Sequence, residues 1–135
     1  TKKEHMTTHK ILTTEPAPSA VGPYNHGVTA TGQMIFVSGQ IAIEVETSEI
    51  VGTNDVSKQT EQVMANLKAI LTEAEANFSN VVKTTIYLKN MEDFTTVNDV
   101  YAKYFNPENA PARACVEVAR LPKDVLVEID CIAVV

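Results

Sequence analysis

The stretch PARACVEVARLPKDVLVEI, residues 111–129, carries the strongest structural pattern in this chain. It consists of two runs of alternating residues joined by a Leu-Pro-Lys-Asp turn at residues 121–124. Successive side chains of a strand point to opposite faces. Arg113 and Cys115 should therefore share one face of the first run, and Glu128 should lie on the polar face of the second. Folding the runs into a hairpin would put these faces together, which predicts a small anion site on one sheet surface.

Length and composition indicate a globular domain. The chain has 135 residues, of which 44% are hydrophobic and 21% are charged. These values suit one domain with its own core, which we expect over residues 7–135. Residues 1–6 are expected to be an expression remnant or a disordered start. The formal net charge of -6 argues against an electrostatic nucleic-acid binder.

Several features predict a cytoplasmic location and no membrane partner. No apolar run approaches the length of a membrane span, and the first twenty residues lack the apolar core of a signal peptide. The two cysteines, Cys115 and Cys131, are predicted on different strand faces, so no disulfide is expected. A reducing compartment is then the default.

Hydrophobic periodicity predicts an α+β fold. A helix is predicted from Asp55 to Ala76, capped by Thr53 or Asn54, because apolar residues recur there at three- and four-residue spacing. A second helix is predicted from about Met91 to Phe105, with Asn90 as N-cap. Strands are predicted near Ile11, at 27–31 and 34–43 (a hairpin joined at Gly32), at 81–88, and in the two carboxy-terminal runs. This order predicts a two-layer domain in which both helices pack on one face of a mixed sheet.

The second face of such a sheet has nothing in the chain to cover it. We expect it to carry Arg113, Glu128 and bulky apolar residues. Sheets of this kind commonly bury that face by forming closed cyclic oligomers, and sites then lie between subunits. Gly39, inside a predicted strand, indicates either close approach of a ligand or backbone, or a bulge.

Four blocks of the sequence resemble the RidA/YjgF family. They are APSAVGPYNHGV (17–28), FVSGQI (36–41), VVKTTIYLKNMEDFTTVNDVYAKYF (81–105) and PARACVEVARLPKDVLVEIDCIAV (111–134). The resemblance implies a chorismate-mutase-like fold and a homotrimer with clefts between subunits. It also implies hydrolysis of small reactive 2-imino acids to 2-keto acids and ammonia. Other members of the family have been linked to translation inhibition, RNA cleavage or chaperone behaviour.

The same resemblance implies roles for individual residues. Arg113 would hold the substrate carboxylate, and Glu128 would orient the attacking water. The residues implied to line the cleft are Tyr24, Ser38, Gly39, Asn98 and Cys115. Two features depart from the family pattern: Asn25-His26 stands where many relatives have other polar pairs, and Glu75 replaces a glycine common after the long helix.

The chemistry suits these residue types. The planar fork of arginine matches a carboxylate with two parallel hydrogen bonds, and a carboxylate in a cleft can orient or partly deprotonate water. No metal or other cofactor is expected, since His26 is the only histidine outside the start of the chain and zinc needs three or four ligands. The proton donor to the leaving amine is open between Tyr24 and a cleft water.

Other interpretations of these residues are open at this point. Arg113 could form a structural ion pair with Glu117 or Glu128. Cys115, beside an arginine, could be a nucleophile, although a cleft-wall role is favoured because no histidine base is positioned to activate it. For the whole protein, a trimeric sensor of 2-keto acids is the main alternative, and an RNA-directed role is disfavoured by the net charge.

Overall fold

In the part of the chain that the structure describes, the helices and strands follow the order expected from the sequence. The structure, a computed structural model, describes residues 8–135, so the predicted remnant at residues 1–6 lies outside the described residues. The elements are β1 (Thr8–Leu12), β2 (Gly27–Thr31), β3 (Met34–Gln40), α1 (Val56–Glu73), β4 (Val81–Leu88), α2 (Phe94–Tyr101), β5 (Ala112–Glu117) and β6 (Val127–Val134). The predicted α+β class, with two helices and a mixed sheet, is confirmed.

The carboxy-terminal strands do not form the predicted hairpin. The four-stranded sheet has the order β3-β6-β4-β5, so β4 lies between β5 and β6. β4 pairs in parallel with β5 and antiparallel with β6. The chain crosses the end of β4 on its way between them: Val118 N–H donates to Leu88 O (2.9 Å) and Lys89 N–H donates to Leu126 O (3.0 Å). These hydrogen bonds pair the backbone groups at the end of β4 and fix the segment that crosses from β5 to β6.

The predicted hairpin at Gly32 is also wrong. β2 pairs antiparallel with β1 in a separate two-stranded sheet, whereas β3 pairs with β6. Gly32 has φ +142°, a conformation that side chains disfavour, and it allows the chain to leave one sheet for the other. β3 ends at Gln40, and Ile43 makes only an isolated bridge with Ile50.

The core lies between the helices and one face of the four-stranded sheet. The α1 residues Val63, Leu67 and Leu71 are at most 1% exposed, as the apolar stripe predicts. Opposite them lie buried sheet residues such as Ile86 and Ile129, both 0% exposed. In the described part of the chain no helix covers the other face, which we call the open face. It exposes Phe36, Met34 and Val116 (70%, 53% and 42%).

The helix ends differ in detail from the prediction. The N-cap of α1 is Asp55, which accepts a hydrogen bond from Lys58 N–H (3.0 Å), in place of Thr53 or Asn54. The predicted second helix is divided into a 3₁₀ turn at 91–93, α2, and another turn at 102–104. Asn90 caps the first of these turns, since its side chain accepts from Glu92 N–H (2.9 Å).

The end of α1 is a Schellman motif built on a residue that suits it poorly. Glu75 has φ +59°, and its N–H donates to Thr72 O (2.9 Å), while Ala76 N–H donates to Leu71 O (2.8 Å). This geometry needs a left-handed residue after the helix, and glycine adopts that conformation most readily. Glu75, which replaces the glycine common in the family, therefore occupies a backbone conformation that weakens the C-cap.

Glu75→Gly should stabilise the folded protein by about 0.5–1 kcal/mol, because relief of left-handed strain exceeds the entropy that glycine adds to the unfolded chain. Urea unfolding at matched protein concentration measures the difference. Glu73→Gly, inside the helix, is the control and should destabilise the protein by a comparable amount. An unchanged or lower midpoint for Glu75→Gly would contradict the prediction.

Candidate active site

Strand register puts Arg113 and Glu128 on opposite faces of the sheet. Arg113 lies opposite Thr84 of β4, and Thr84 is buried against α2, where its hydroxyl lies 2.8 Å from that of Tyr101. Glu128 lies opposite Tyr87 of β4, an odd number of residues from Thr84. Since neighbouring residues on paired strands share a face, Arg113 points towards the helices and Glu128 towards the open face. The prediction that they share one surface is wrong.

The two cysteines share a face, contrary to the sequence prediction. Cys115 lies opposite Ile86, and Cys131 lies opposite Thr84, so both point towards the helices. Both are free. Burial raises the pKa of the Cys131 thiol to about 12, with a smaller contribution from Asp130. Cys131 is therefore an inert core residue.

Arg113 is held by one amide and three aromatic rings. Its Nη1 donates to Asn98 Oδ1 of α2 (2.7 Å). Its Cζ lies 5.1 Å from the ring centroids of Tyr24 and Tyr101 and 5.7 Å from that of Phe94, distances at which a cation is attracted to a ring. The structure thus brings Tyr24 and Asn98 to Arg113, as the family resemblance implies.

Sequence reasoning missed two residues that shape this environment. In the sequence, Phe94 and Tyr101 belong to the apolar stripe of the predicted second helix, which by itself indicates only a buried face. With Asn98 they occupy positions i, i+4 and i+7 of α2, which is one face of a helix. The signal that could have identified them is the position of Asn98, a polar amide, on the same helix face as the two aromatic residues.

The guanidinium of Arg113 is partly buried and has no counter-ion among residues 8–135. Burial lowers its pKa from the usual arginine value, although nearby Tyr101 and Cys115 oppose this shift. The ion pairs in that range join Lys103 to Glu61 and Arg120 to Asp124. A cation withdrawn from water without a partner is costly, so this position favours an anionic ligand.

The ion-pair alternatives for Arg113 are not present in this structure. The Glu117 carboxylate accepts a hydrogen bond from Met91 N–H (2.8 Å) at the turn before α2. Glu128 lies on the opposite face. Cys115 lies close enough to Arg113 to interact electrostatically, but burial is the larger effect and raises the pKa of its thiol. A protonated thiol suits the cleft wall better than a nucleophile.

Gly39 lies directly against Glu128. A Cβ placed on Gly39 would be 2.0 Å from Glu128 Oε2, so the carboxylate needs a residue with no side chain here. The pairing of β3 with β6 also shifts register between Val37 and Gln40, so the bulge, one of the two interpretations of Gly39, is present in the structure. Ser38 is exposed in this bulge. Ser38, Gly39 and Glu128 form what we call the glutamate group.

The environment of Glu128 makes it a stronger base than an ordinary glutamate. Burial raises the pKa of its carboxyl, and the like charge of Asp130, two residues along the same face, raises it further. Asp130 accepts a hydrogen bond from Tyr87 Oη (3.1 Å). Burial, followed by this contact, raises the pKa of Tyr87 and keeps it a donor.

The candidate residues therefore form two groups in one chain. Arg113, Tyr24, Asn98 and Cys115, which we call the arginine group, lie on the helix-facing side of the edge strand β5. The glutamate group lies on the open face. Within residues 8–135, no three His, Cys, Asp or Glu side chains gather as metal ligands do, and no helix has the length and apolarity to cross a bilayer.

Fold and site together define a two-layer α+β protein with a partly buried arginine that has no counter-ion among residues 8–135, and with a separate carboxylate of raised pKa. The sequence profile of the family described as Endoribonuclease L-PSP matches residues 14–135. The chain belongs to this family, also called YjgF/RidA.

Relatives of this chain are named both as RutC family proteins and as deaminases. A RutC family protein of Synechocystis is 55% identical over 127 residues, covering 94% of this chain and 97% of the relative. The 2-iminobutanoate/2-iminopropanoate deaminase of Escherichia coli K12 is 49% identical over 127 residues, covering 93% and 97%.

Solved structures show the same fold. The YjgF gene product of E. coli is 48% identical, with a TM-score of 0.70 and coverage of 93% of this chain and 98% of that one. E. coli TdcF, solved with bound serine, is 44% identical, with the same TM-score and coverage.

Asp130→Asn should lower the pKa of Glu128 towards the usual glutamate value, because it removes the like charge and leaves burial as the remaining cause of the shift. Carboxyl chemical shifts followed by NMR across a pH titration measure the change. Asp99→Asn is the control, since Asp99 is an exposed residue of α2 in the other layer. An unchanged titration midpoint of Glu128 in Asp130→Asn would show that Asp130 does not contribute to the raised pKa of Glu128.

Proposed function

We propose that this protein is an enamine/imine deaminase acting on small 2-imino acids such as 2-iminobutanoate and 2-iminopropanoate, without a metal or other cofactor. The observation that carries the proposal is the partly buried guanidinium of Arg113, which has no counter-ion among the described residues. The name of the E. coli relative supports the reaction class. The proposal includes a cytoplasmic location, which suits two free thiols.

In the proposed reaction, Arg113 binds the substrate carboxylate through its free N–H groups while Asn98 holds the opposite side of the fork. The neighbouring imine carbon is thereby positioned for attack. Glu128 accepts a proton from water as the water oxygen bonds to that carbon, and the imine nitrogen gains a proton, giving a carbinolamine. The carbinolamine hydroxyl then loses its proton as the C=O bond forms, the nitrogen gains a second proton, and the C–N bond breaks. Ammonia leaves and the 2-keto acid remains, so that both protons of the water end on nitrogen.

The proton for the leaving amine has a candidate donor in Tyr24. Val21 N–H donates to Tyr24 Oη (3.1 Å), which leaves the hydroxyl proton of Tyr24 available to a ligand. The ring stands beside Arg113, so a substrate bound there would lie near the hydroxyl. A water in the cleft is the other candidate.

The proposed catalytic unit is a homotrimer with sites between subunits. One chain holds the arginine and glutamate groups on opposite faces of its sheet, so a ligand on Arg113 needs a carboxylate from elsewhere. The exposed Phe36, Met34 and Val116 give the open face the apolar character of an interface. A closed cyclic arrangement would bring the arginine group of one subunit to the glutamate group of the next.

A protein that binds carboxylates without catalysis is the alternative, and TdcF with bound serine supports it by showing a relative that holds a small amino acid. Such a protein needs Arg113 but has no use for a basic carboxylate. The raised pKa of Glu128 favours catalysis. The decisive assay supplies 2-iminobutanoate from threonine with a pyridoxal enzyme and follows keto-acid formation against semicarbazide trapping.

Arg113→Lys should lower kcat/KM for the imine by about ten- to a hundredfold, the cost of one charged hydrogen bond of about 1.5–3 kcal/mol. Arg113→Ala should lower it further. Arg120→Lys is the control, because Arg120 is exposed and pairs with Asp124, away from the arginine group. A wild-type rate for Arg113→Lys would remove the two-point clamp from the mechanism.

Glu128→Gln should lower kcat while binding of 2-ketobutyrate, measured by calorimetry, changes little, since the amide keeps the shape but cannot take a proton. Glu108→Gln, at an exposed position, is the matched control. Wild-type turnover in Glu128→Gln would show that Glu128 is not the base, and that Asp130 or the binding of the carboxylate by Arg113 is sufficient for hydrolysis. No acceleration by the wild type would favour the binding function.

Intersubunit sites predict complementation between two inactive variants. Arg113→Ala and Glu128→Gln, unfolded together and refolded as a mixture, should regain about a quarter of the wild-type rate, because about a quarter of the interfaces then combine an intact arginine with an intact glutamate. Each variant refolded alone is the control. Failure of the mixture to exceed both controls, with trimers confirmed by light scattering, would place both groups of each site in one chain.

A further inference from the structure

Gly22 lies against the end of the Arg113 side chain, and the proposed chemistry gives it no role. A Cβ placed on Gly22 would lie 2.8 Å from Arg113 Nη2, 3.4 Å from Asn98 Nδ2 and 3.4 Å from Tyr24 Cε2. One added methyl group would thus touch three members of the arginine group at once. Nonbonded heavy atoms pack best at about 3.5–4.0 Å, so the guanidinium occupies the space that a side chain at position 22 would need.

The backbone conformation of Gly22 does not by itself call for glycine. Among residues 8–135, the glycines with positive φ are Gly32 and Gly52, so Gly22 lies in the half of conformational space that is open to residues with a side chain. The need for glycine is therefore a need for space, and Arg113 takes that space. Gly39 stands in the same relation to Glu128. Each charged group of the proposed site thus ends against the bare backbone of a glycine.

The guanidinium of Arg113 has little room to move away from Gly22. Its Nη1 donates to Asn98 Oδ1 (2.7 Å). The rings of Tyr24 and Tyr101 lie beside it, each with its centroid 5.1 Å from Cζ. A shift that made room for a methyl group would lengthen the hydrogen bond to Asn98 or press the cation into a ring.

The turn that carries Gly22 is fixed relative to the backbone of Arg113. Asn25, three residues after Gly22, donates from its backbone N–H to Pro111 O (3.3 Å) and from its side-chain amide to Ala110 O (2.8 Å). Arg113 follows Pro111 by two residues. These hydrogen bonds tie the turn to the segment from which the arginine extends, so the turn cannot easily retreat to admit a larger residue.

We propose that Gly22 is a positioning residue for Arg113: its bare backbone lets the guanidinium lie against Asn98 and the aromatic rings in the orientation that binds the substrate carboxylate. This inference rests on the proposed function of Arg113. Two-point binding of a carboxylate depends on the direction of the planar fork, whereas attraction between charges does not. Gly22 therefore acts on the alignment of the carboxylate and contributes no group to the chemical steps.

Gly22→Ala tests this role by placing a methyl group against Nη2. The affinity for 2-ketobutyrate, measured by calorimetry, should fall by about tenfold or more, the loss expected for one charged hydrogen bond, and kcat/KM for 2-iminobutanoate should fall with it. Wild-type affinity in Gly22→Ala would overturn the proposal.

Gly27→Ala is the matched control. Gly27 is half-buried, as Gly22 is, and its φ is not positive. An added Cβ would meet Leu12 Cδ1 at 3.4 Å, an ordinary contact with an apolar side chain. This variant should therefore bind 2-ketobutyrate as the wild type does.

A double-mutant cycle separates the proposed role from a need for glycine in the turn itself. Lysine has no atom at the position of Nη2, so Gly22→Ala should lower kcat/KM by less than about twofold when Arg113 is already replaced by lysine. An equal loss in both backgrounds would overturn the proposal. If Gly22→Ala unfolds while the double variant Gly22→Ala/Arg113→Lys folds, the clash is with the guanidinium, as proposed; if neither folds, the proposal is wrong.

The side-chain amide of Asn98 gives a readout that does not need activity. Its two N–H signals in amide NMR spectra report on the hydrogen bond that Asn98 Oδ1 accepts from Arg113, and they should shift in Gly22→Ala but not in Gly27→Ala. Unshifted signals in Gly22→Ala would overturn the proposal. Failure of the proposed function is distinguishable: the wild type would then not accelerate imine hydrolysis, whereas the Asn98 signals would still show whether Gly22 positions the guanidinium.

Discussion

Strand β4 pairs in parallel with β5 on one side and antiparallel with β6 on the other, and this pairing fixes the face of every candidate residue on those strands. Thr84 and Ile86 of β4 are buried against the helices, so their partners Arg113 and Cys115 must also face that side. Tyr87 points towards the open face, and its partner Glu128 therefore points there as well. A shift of one residue in either ladder would expose core side chains, so the separation of cation and base is as strongly determined as the core itself.

The helix-facing position of Arg113 shapes its chemistry. Burial works against its charge, and the protein supplies an amide oxygen from Asn98 and aromatic faces in place of a carboxylate. Such contacts stabilise a cation less than an ion pair does, and they leave part of the planar fork available. The Tyr101 hydroxyl is tied to Thr84, and burial raises the pKa of Tyr101 to about 12. This ring therefore serves as a neutral support for the guanidinium.

The elements could be predicted from the sequence because each depends on local periodicity. The stripe of α1, the alternation of β4 and the cap at Asn90 are all local signals, and the structure contains them. Pairing between strands is not local. The Leu-Pro-Lys-Asp segment looks like a hairpin turn, but the backbone bonds from Val118 N–H to Leu88 O and from Lys89 N–H to Leu126 O carry the chain across the end of β4. Alternation shows which residues share a face within one strand. Which face of β5 matches which face of β6 depends on the strand that pairs with both, and the sequence does not show that this strand is β4.

Phe94 and Tyr101 were missed for a related reason, since a buried aromatic stripe has the same sequence pattern whether it packs against a hydrophobic core or against an arginine.

The separation of Arg113 from Glu128 has a consequence for the proposed trimer. If both lay on one face of one chain within reach of each other, they would form an ion pair, which would lower the pKa of the carboxylate and occupy the fork. On opposite faces, Glu128 keeps the raised pKa that burial and Asp130 give it, and Arg113 keeps its free N–H groups. Assembly between subunits can then set cation and base at a distance that leaves room for a substrate and a water between them. The rigid ladders of β4 hold each group to its own subunit, so the interface, and not the flexibility of two long side chains, would determine that distance.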